Sequence, residues 1–565
     1  MSNSGVAQHP YGLRFLFLTE MWERFGYYLM IGIFTLYMED TAKGGLGFAT
    51  SKSTDVFGTF IALAYLTPFL GGIIADKLLG YRRSIIIGGT LMGIGYCCLG
   101  ISDKITQFFT GNMGVDTNTA TNYALWFSLI IMVIGNGFFK PNIATLLGNL
   151  YNDPQFSAKK DIGYNIFYMG INIGAFVCNF AAAFMRGHYG WWAAFLCAGI
   201  GMFLGVFTFV IGNKHYAHAD AKKVQVAGEQ SLLSTLSVIL VPAVLSGLIG
   251  WYIPGNIFSS DSTDAFLFFT IPVIAYFLNI LRTAATEEKQ PIKALLSIYA
   301  VAILFWAIFK QNGTALTGWA ERYTNREIPT AVVPAAEVFG FAENLSNATA
   351  NYPKYDKAFR AEKDENGKVV KTLSTHPYFI NAPDKLPNDG QKISLISSEI
   401  FQSINPFFII IFTPIVIAFF GWMRRKYKEP TTATKIGWGL MITSLSSLVM
   451  VFASWACHNG LEKASPMWLV GTYGVVTIGE LCLSPMGLSL VSKLAPARIA
   501  ALMMGGWQLA TAIGNKMSGV LAGLWNNFDN KEYYFLMNVG LTFIAGLMIF
   551  AMLKWLNEVI AKHVK

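Results

Sequence analysis

The sequence predicts an all-α polytopic membrane protein, and three observations carry that reading. Of 565 residues, 53% are hydrophobic and only 13% charged, about half the charge share of a soluble domain. Apolar runs of about 20 residues, the length a helix needs to cross a bilayer, recur along almost the whole chain. Basic residues gather in alternate connections, the pattern of loops retained in the cytoplasm. The runs number about fourteen, centred near residues 27, 65, 95, 135, 173, 203, 240, 272, 305, 410, 445, 480, 511 and 546. The basic clusters are Lys77, Arg82 and Arg83; Lys159 and Lys160; Lys214, Lys222 and Lys223; Arg282, Lys289 and Lys293; Arg424, Arg425, Lys426 and Lys428; and Lys493 with Arg498. They place both termini in the cytoplasm. The first apolar run is too long for a signal-peptide core, so no cleavable leader is expected. The net charge of +9 reflects topology and does not suggest nucleic acid. Cys97, Cys98, Cys178, Cys197, Cys457 and Cys482 have no metal-like spacing and read as packing residues.

Taken in order, the first run carries EMWERFGYY, Glu20 to Tyr28, near its middle. Glu20, Glu23, Arg24, Tyr27 and Tyr28 follow i, i+3, i+4 and i+7 spacing and share one helix face. An intramembrane charge costs roughly 2.5–3.5 kcal/mol, so such a face rarely meets lipid. Two readings compete: an ion-pair network that pins helices, or a gated acid–base pair whose separation makes the acid bind a proton. The second run holds Thr67-Pro68 and leads to Asp76, Arg82 and Arg83. The fourth holds Lys140 followed by Pro141, which frees a backbone carbonyl and can kink the helix. The seventh and eighth, about 231–282, form an extra pair. Lys310 lies within the ninth and Glu480 within the twelfth. Glu20, Glu23 and Glu480 against Arg24, Lys140 and Lys310 make a set that can be neutral as a whole.

Between the ninth and tenth runs, residues about 318–395 form a polar insertion containing KDENGKVV. Its Asn366-Gly367 reads as a small hairpin turn. By the span count it lies on the outer face, where a surface decoration is readily tolerated.

The chain also echoes itself. VIGNGFFKPNIATLL (133–147) aligns with TIGELCLSPMGLSLV (477–491) at an offset of 344, and Thr67-Pro68 with Thr413-Pro414 at 346. Trp22-x-x-Phe25 and Trp306-x-x-Phe309 share an offset of 284, the shortfall that an insertion of about 60 residues after residue 318 would leave. This predicts duplicated six-helix halves: residues 1–212, then a linker and extra helix pair at 213–290, then 291–565 with the insertion. Duplicated halves around a midplane site are transporter architecture. Glu480 falls one turn before the equivalent of Lys140.

These segments resemble one family. EMWERFGYY matches the E-x-x-E-R-F-x-Y-Y motif of the proton-dependent oligopeptide transporters within the major facilitator superfamily. DIGYNIFYMGINIGAF (161–176) resembles that family's F-Y-x-x-I-N-x-G signature, and GGIIADKLLGYRRS (71–84) the superfamily's loop between spans two and three. FFKPN, FWAIFKQNG, FQSINPFF and GELCLSPMGLS also look like family segments, and the extra helix pair is similar to that of bacterial members. The resemblance implies a major facilitator fold and inward movement of di- and tripeptides with protons, in the bacterial inner membrane, by a monomer without a cofactor. It implies that Arg24 and Lys140 attract the peptide carboxylate, and that Glu480, Asn172 and Asn405 hold its amino terminus. Tyr27, Tyr28 and Tyr65 would contact the peptide backbone, and Trp306 and Trp507 wall the side-chain pockets. Glu20 and Glu23 would join Arg24, Lys140 and Glu480 in proton coupling. Asp76, Arg82 and Arg83 would latch the cytoplasmic gate. A zwitterion independently needs one cationic and one anionic pole between tolerant apolar walls. Packing or interhelical hydrogen bonding is the plainer role for Tyr65, Trp306, Trp507, Asn172 and Asn405.

Two positions depart from the family. Ile31 stands where an arginine is common, and Lys310 where an acid is common. In the resembling proteins those two pair across the outer gate, so the pair is missing here. Lys310 is expected to face Glu20 or Glu23 instead, and an added cation would favour acidic cargo. Another small anion, a modified peptide or uncoupled peptide movement are the alternatives. No Ser-His pairing or metal cluster emerges in the spans, so no enzyme is expected.

Overall fold

The structure, a computed structural model, describes residues 9–563 apart from 76–78, 157–159, 221–231, 259, 357–358, 363, 365–368, 428–429 and 497–498. Helices dominate. In chain order they are α1 (Gly12–Glu39), α2 (Thr50–Ile74), α3 (Tyr81–Gly100), α4 (Ser102–Met113), α5 (Thr117–Leu150), α6 (Lys160–Tyr189), α7 (Trp191–Gly212), α8 (Leu232–Tyr252), α9 (Asp261–Thr283) and α10 (Thr286–Phe309). A 3-10 turn, Lys310–Gly313, then leads to the short helices α11 (Ala315–Arg322) and α12 (Val333–Val338). After four short strands come α13 (Ile404–Lys426), α14 (Thr432–Ala456), α15 (Met467–Leu494), α16 (Ala500–Gly523) and α17 (Lys531–His563). Among the described residues, fourteen of these helices have 20 or more residues. Ten helical segments are both long and apolar enough to cross a membrane. α1 is outside that ten, as expected of a helix with Glu20, Glu23 and Arg24 within it. The apolar window of α13 is only 17% buried, which leaves its Ile415, Ile417 and Phe419 facing outward, as lipid contact requires.

By its contacts the chain forms two units. One contains Met1–Phe34, Leu63–Ala227 and Thr330–Ala342; the other contains Thr35–Ala62, Gly228–Pro329 and Glu343–Lys565. The division cuts α1 and α2, so the ends of these helices and the loop joining them go with the C-terminal helices.

Proline and glycine explain how the helices of the first unit cross. Pro68 cannot donate to the carbonyl of Ala64. Asn136 of α5 takes it over, with Nδ2 donating at 2.5 Å. Pro141 likewise leaves the Gly137 carbonyl without its helical donor. Gly71 lies against that carbonyl so closely that a Cβ there would sit 2.0 Å from the oxygen. The sequence echo appears in packing too. Gly135 meets Gly88 of α3, and Gly479, at the offset of 344, meets Gly439 of α14. Thr67 and Thr413, each preceding a helix proline, bond back to the carbonyls of Leu63 and Ile409.

The insertion is a folded cap. β1 (Ala342–Leu345) pairs with β4 (Ile393–Ile396), and β2 (Ala350–Pro353) runs antiparallel to β3 (Lys371–Ser374). The expected Asn366-Gly367 turn lies outside the described residues. Leu345, Tyr378, Phe379 and Leu395 form its small core. The fully buried Arg326 pairs with Glu321 and Glu343, each at 3.3 Å, and donates to the Ile396 carbonyl at 2.7 Å. Two bases here have lost affinity for protons. Burial and then the Arg326 guanidinium lower Lys463 to about 6, against the pull of Glu321. Its Nζ donates to the Arg322 carbonyl at 2.8 Å over the Tyr378 ring. Burial lowers His376 to about 4, with Glu343 opposing; its Nδ1 accepts the Tyr378 N–H.

Candidate functional site

In the first unit, the polar stripe of α1 is folded into the protein interior. Glu23 is fully buried, and Glu20, Arg24 and Tyr27 nearly so. α6 is pressed against this helix at Gly174, where a Cβ would stand 2.3 Å from the Met21 carbonyl. That close approach leaves no room for the stripe to turn. The Arg24 guanidinium grips Glu23 through both nitrogens: Nη2 donates to Oε1 at 2.6 Å and Nε to Oε2. Nε also lies 3.4 Å from Glu20 Oε1. The planar fork of arginine suits such a grip. Tyr27 and Tyr28 flank the guanidinium, with ring centroids 4.9 and 6.0 Å from Cζ. Glu20 Oε2 is buried without a hydrogen-bond partner among the described residues, an acceptor held ready for a donor.

Lys140 lies one residue before Pro141, on the stretch of α5 that Asn136 and Gly71 bind to α2. Its Nζ stands 4.0 Å from the Tyr65 ring centroid, also on α2, and within electrostatic reach of Glu20. Tyr65 is therefore a cation–π partner of Lys140. Asn172 of α6 is buried and donates to the Tyr168 carbonyl of its own helix at 3.0 Å.

The second unit holds its own set. Asn405, in the first turn of α13, donates Nδ2 to Glu480 Oε2 at 3.2 Å and to Thr477 Oγ1 at 2.9 Å. Lys310 lies within electrostatic reach of Glu480. Its Nζ is 5.6 Å from the ring centroids of Trp306 and Phe309. Trp306 is mostly buried, and its Nε1 lacks a hydrogen-bond partner among the described residues. Trp507 is buried against Gly487 and meets Tyr299 edge-on at 6.1 Å. Beside Asn405 lies a small pocket whose walls are mostly apolar, with Asn312, Ser446, Thr472 and Asn538 among the residues lining it.

The six charges thus sort into two sets: Glu20, Glu23, Arg24 and Lys140 in one unit, Glu480 and Lys310 in the other. Each set balances. The acid that the second unit offers Lys310 is Glu480, whereas the sequence suggested Glu20 or Glu23. Asp76 lies outside the described residues. Arg82 Nε donates to Asn213 Oδ1 at 2.5 Å, and the N–H groups of Tyr81 and Arg82 donate to Asp220. Arg83 is exposed. Sequence reasoning missed Thr477, the pocket beside Asn405 and Lys516. Lys516 had the same signal as Lys140, a lone charge inside an apolar run.

The sequence model of one family, described as the POT family, matches residues 82–341 and 390–539. The chain belongs to the POT family. Its relatives include the Uncharacterized transporter YclF of Bacillus subtilis, 26% identical over 96% of this chain and 94% of that protein. The Di-/tripeptide transporter of Lactococcus lactis subsp. cremoris is 27% identical over 98% of this chain and 96% of its own. A mutant of the peptide transporter POT crystallised with alafosfalin is 27% identical, covers 99% of this chain and 97% of its own, and superposes with a TM-score of 0.72. This POT-family chain accordingly has the major facilitator fold, and its family and neighbours are transporters, not enzymes.

Proposed function

We propose that this protein imports di- and tripeptides together with protons by alternating access. The observation that carries the proposal is the pair of acid–base sets, buried at Glu20, Glu23 and Arg24 and half-buried at Lys140, Lys310 and Glu480, each balanced within its own unit. A balanced set offers a carboxylate to an ammonium and a cation to a carboxylate without an uncompensated buried charge. Arg24 and Lys140 would draw the peptide carboxylate, and Glu480 with Asn405 its amino terminus. Asn172 would assist there, Tyr27, Tyr28 and Tyr65 would face the peptide backbone, and Trp306 and Trp507 would shape the side-chain pockets. Glu20, Glu23 and Glu480 are the groups that take up protons when their cationic partners are drawn away. Asp76, Arg82 and Arg83 would serve the cytoplasmic gate. The names of its relatives support peptide as the cargo. The alternating basic loops support an inner-membrane protein with both termini cytoplasmic. The proton gradient is the energy source, no cofactor is called for, and the working unit is a monomer.

The test is uptake of labelled dialanine into proteoliposomes under an imposed pH gradient, competed with nitrate. Accumulation that dialanine competes, nitrate does not, and a protonophore abolishes is the expected result. Competition by nitrate would replace peptide with an anion as cargo. One observation favours a second reading. Lys310 within electrostatic reach of Glu480 places a fixed cation near the acid that would otherwise report protonation, as an uncoupled facilitator would allow. Counterflow that survives the protonophore while no accumulation ever occurs would establish that reading instead.

A further inference from the structure

Lys516 lies within α16 and is completely buried. Its ammonium has three donors, and all three are used. Nζ is 2.6 Å from Asp55 Oδ1, 2.6 Å from Thr59 Oγ1 and 3.0 Å from Ser262 Oγ. Asp55 and Thr59 belong to α2, and Ser262 to the first turn of α9. The carboxylate is equally well served. Asp55 Oδ1 also accepts from Ser260 Oγ at 2.9 Å and Thr263 Oγ1 at 3.1 Å, and Oδ2 accepts from Ser262 Oγ at 2.6 Å. Three helices therefore share one ion pair, with α9 of the extra helix pair supplying the hydroxyl cradle.

The backbones are close at the same place. A Cβ on Gly58 would meet the Gly519 Cα at 3.0 Å, and one on Gly519 the Thr54 carbonyl at 2.4 Å. The pair thus fastens a tight crossing of α2 over α16, on the side that carries the insertion. α2 itself is divided between the contact units after Ala62, so Asp55 goes with α9 and α16 and not with the rest of its own helix. Around it, Thr35 Oγ1 donates to the Gly313 carbonyl at 3.1 Å, and Lys43 pairs with Glu343 at 2.7 Å. Residues 35–62 belong to the second unit, and the ion pair that fastens them there with a fully buried lysine is Asp55–Lys516. A packing role alone would favour apolar side chains here, because a buried ion pair is often no more stabilising than a well-packed apolar replacement.

We propose that Asp55 and Lys516 are the gating pair of the insertion-side entrance, and that α9 holds the pair closed through Ser260, Ser262 and Thr263. The pair positions residues 35–62 and touches no substrate. This rests on the carrier reading, because a gate has meaning only in a protein that alternates.

The test uses the full chain in nanodiscs, with spin labels at the exposed positions Ser51 and Asn527, and parallel uptake assays. Asp55→Asn and Lys516→Met are each expected to raise the population with a long label separation about tenfold, since removing one partner strands the other. Ser262→Ala, which strands no charge and should fold normally, is expected to move it the same way by about twofold to threefold. The exchanged pair Asp55→Lys with Lys516→Asp should restore the short separation and driven uptake together. Unchanged distances in well-folded single variants would overturn the proposal, as would a folded exchanged pair that restores neither property. An unmoved Ser262→Ala would overturn the part given to α9. The distance measurement needs neither cargo nor gradient, so its failure is separable from a failure of wild-type uptake, which would sink the carrier reading.

Discussion

A buried charge is only as stable as its partners, and the candidate site is best tested one partner at a time. Glu23→Gln leaves Arg24 with half of its grip, and Glu480→Gln removes the negative charge and the titrating group beside Asn405. Each is expected to abolish proton-driven dialanine uptake while the protein still elutes as a folded species; driven uptake within about twofold of wild type would remove that residue from the coupling set. Lys140→Ala should lose both uptake and affinity. Lys310→Glu, alone and with Ile31→Arg, should fold and show an altered pH profile of uptake. An unchanged profile in the double variant would mean that the departure at these positions has no consequence for coupling. At this scale the sequence was informative wherever a charge interrupted an apolar run, because hydrocarbon makes such a residue conspicuous. Glu20, Glu23, Arg24, Lys140 and Glu480 stood out for that reason. Thr477 did not, because a threonine within a helix usually bonds to its own backbone and gives no sign of a second partner. Asp55 lies near the start of its helix, where an acid looks ordinary. Only coordinates reveal the lysine beneath it.

Helix crossings depend on what the sequence leaves out of a side chain. Gly71→Ala drives a methyl into the Gly137 carbonyl and is expected to cost about 1–3 kcal/mol of stability, read as a lowered thermal transition in detergent. Gly111→Ala, in open space on α4, should be neutral or stabilising by up to about 1 kcal/mol. The insertion offers a pH test. A base whose pKa falls on folding favours the unfolded chain at any pH where only that chain binds the proton. For Lys463 the window runs from its ordinary value of 10.5 down to about 6; for His376 it runs from 6.5 down to about 4. The cap should therefore loosen as pH falls from about 8 to about 4, seen as faster hydrogen exchange over residues 342–396 after correction for intrinsic rates. Lys463→Met should remove the part of that loss above about pH 6 and leave the part below it. The sequence marked this region only as a polar insertion. Its strands are four residues long and their partners distant in the chain, so periodicity had too little to work on. The buried Arg326 was invisible, because nothing local distinguishes it from a surface arginine.

For the whole molecule the useful quantity is the driving force. One proton entering on about 100 mV and a pH difference of one unit supplies roughly 3.7 kcal/mol, enough to concentrate a neutral dipeptide several hundredfold. Steady-state accumulation of dialanine should approach and not exceed that ceiling; a value well above it would require more than one proton per cycle. The long helices, the membrane class and the internal echo were legible because each repeats many times along the chain. The division of α1 and α2 between contact units was not, because it depends on which distant residues touch the ends of a helix. The separate balance of the two charged sets has a further consequence, for electricity. An empty, unprotonated carrier moves no net charge through the membrane field, so its return stroke should be indifferent to voltage. Current should appear only with cargo and proton aboard. Liposomes adsorbed on a capacitive sensor would then be silent to a voltage step until dialanine is added.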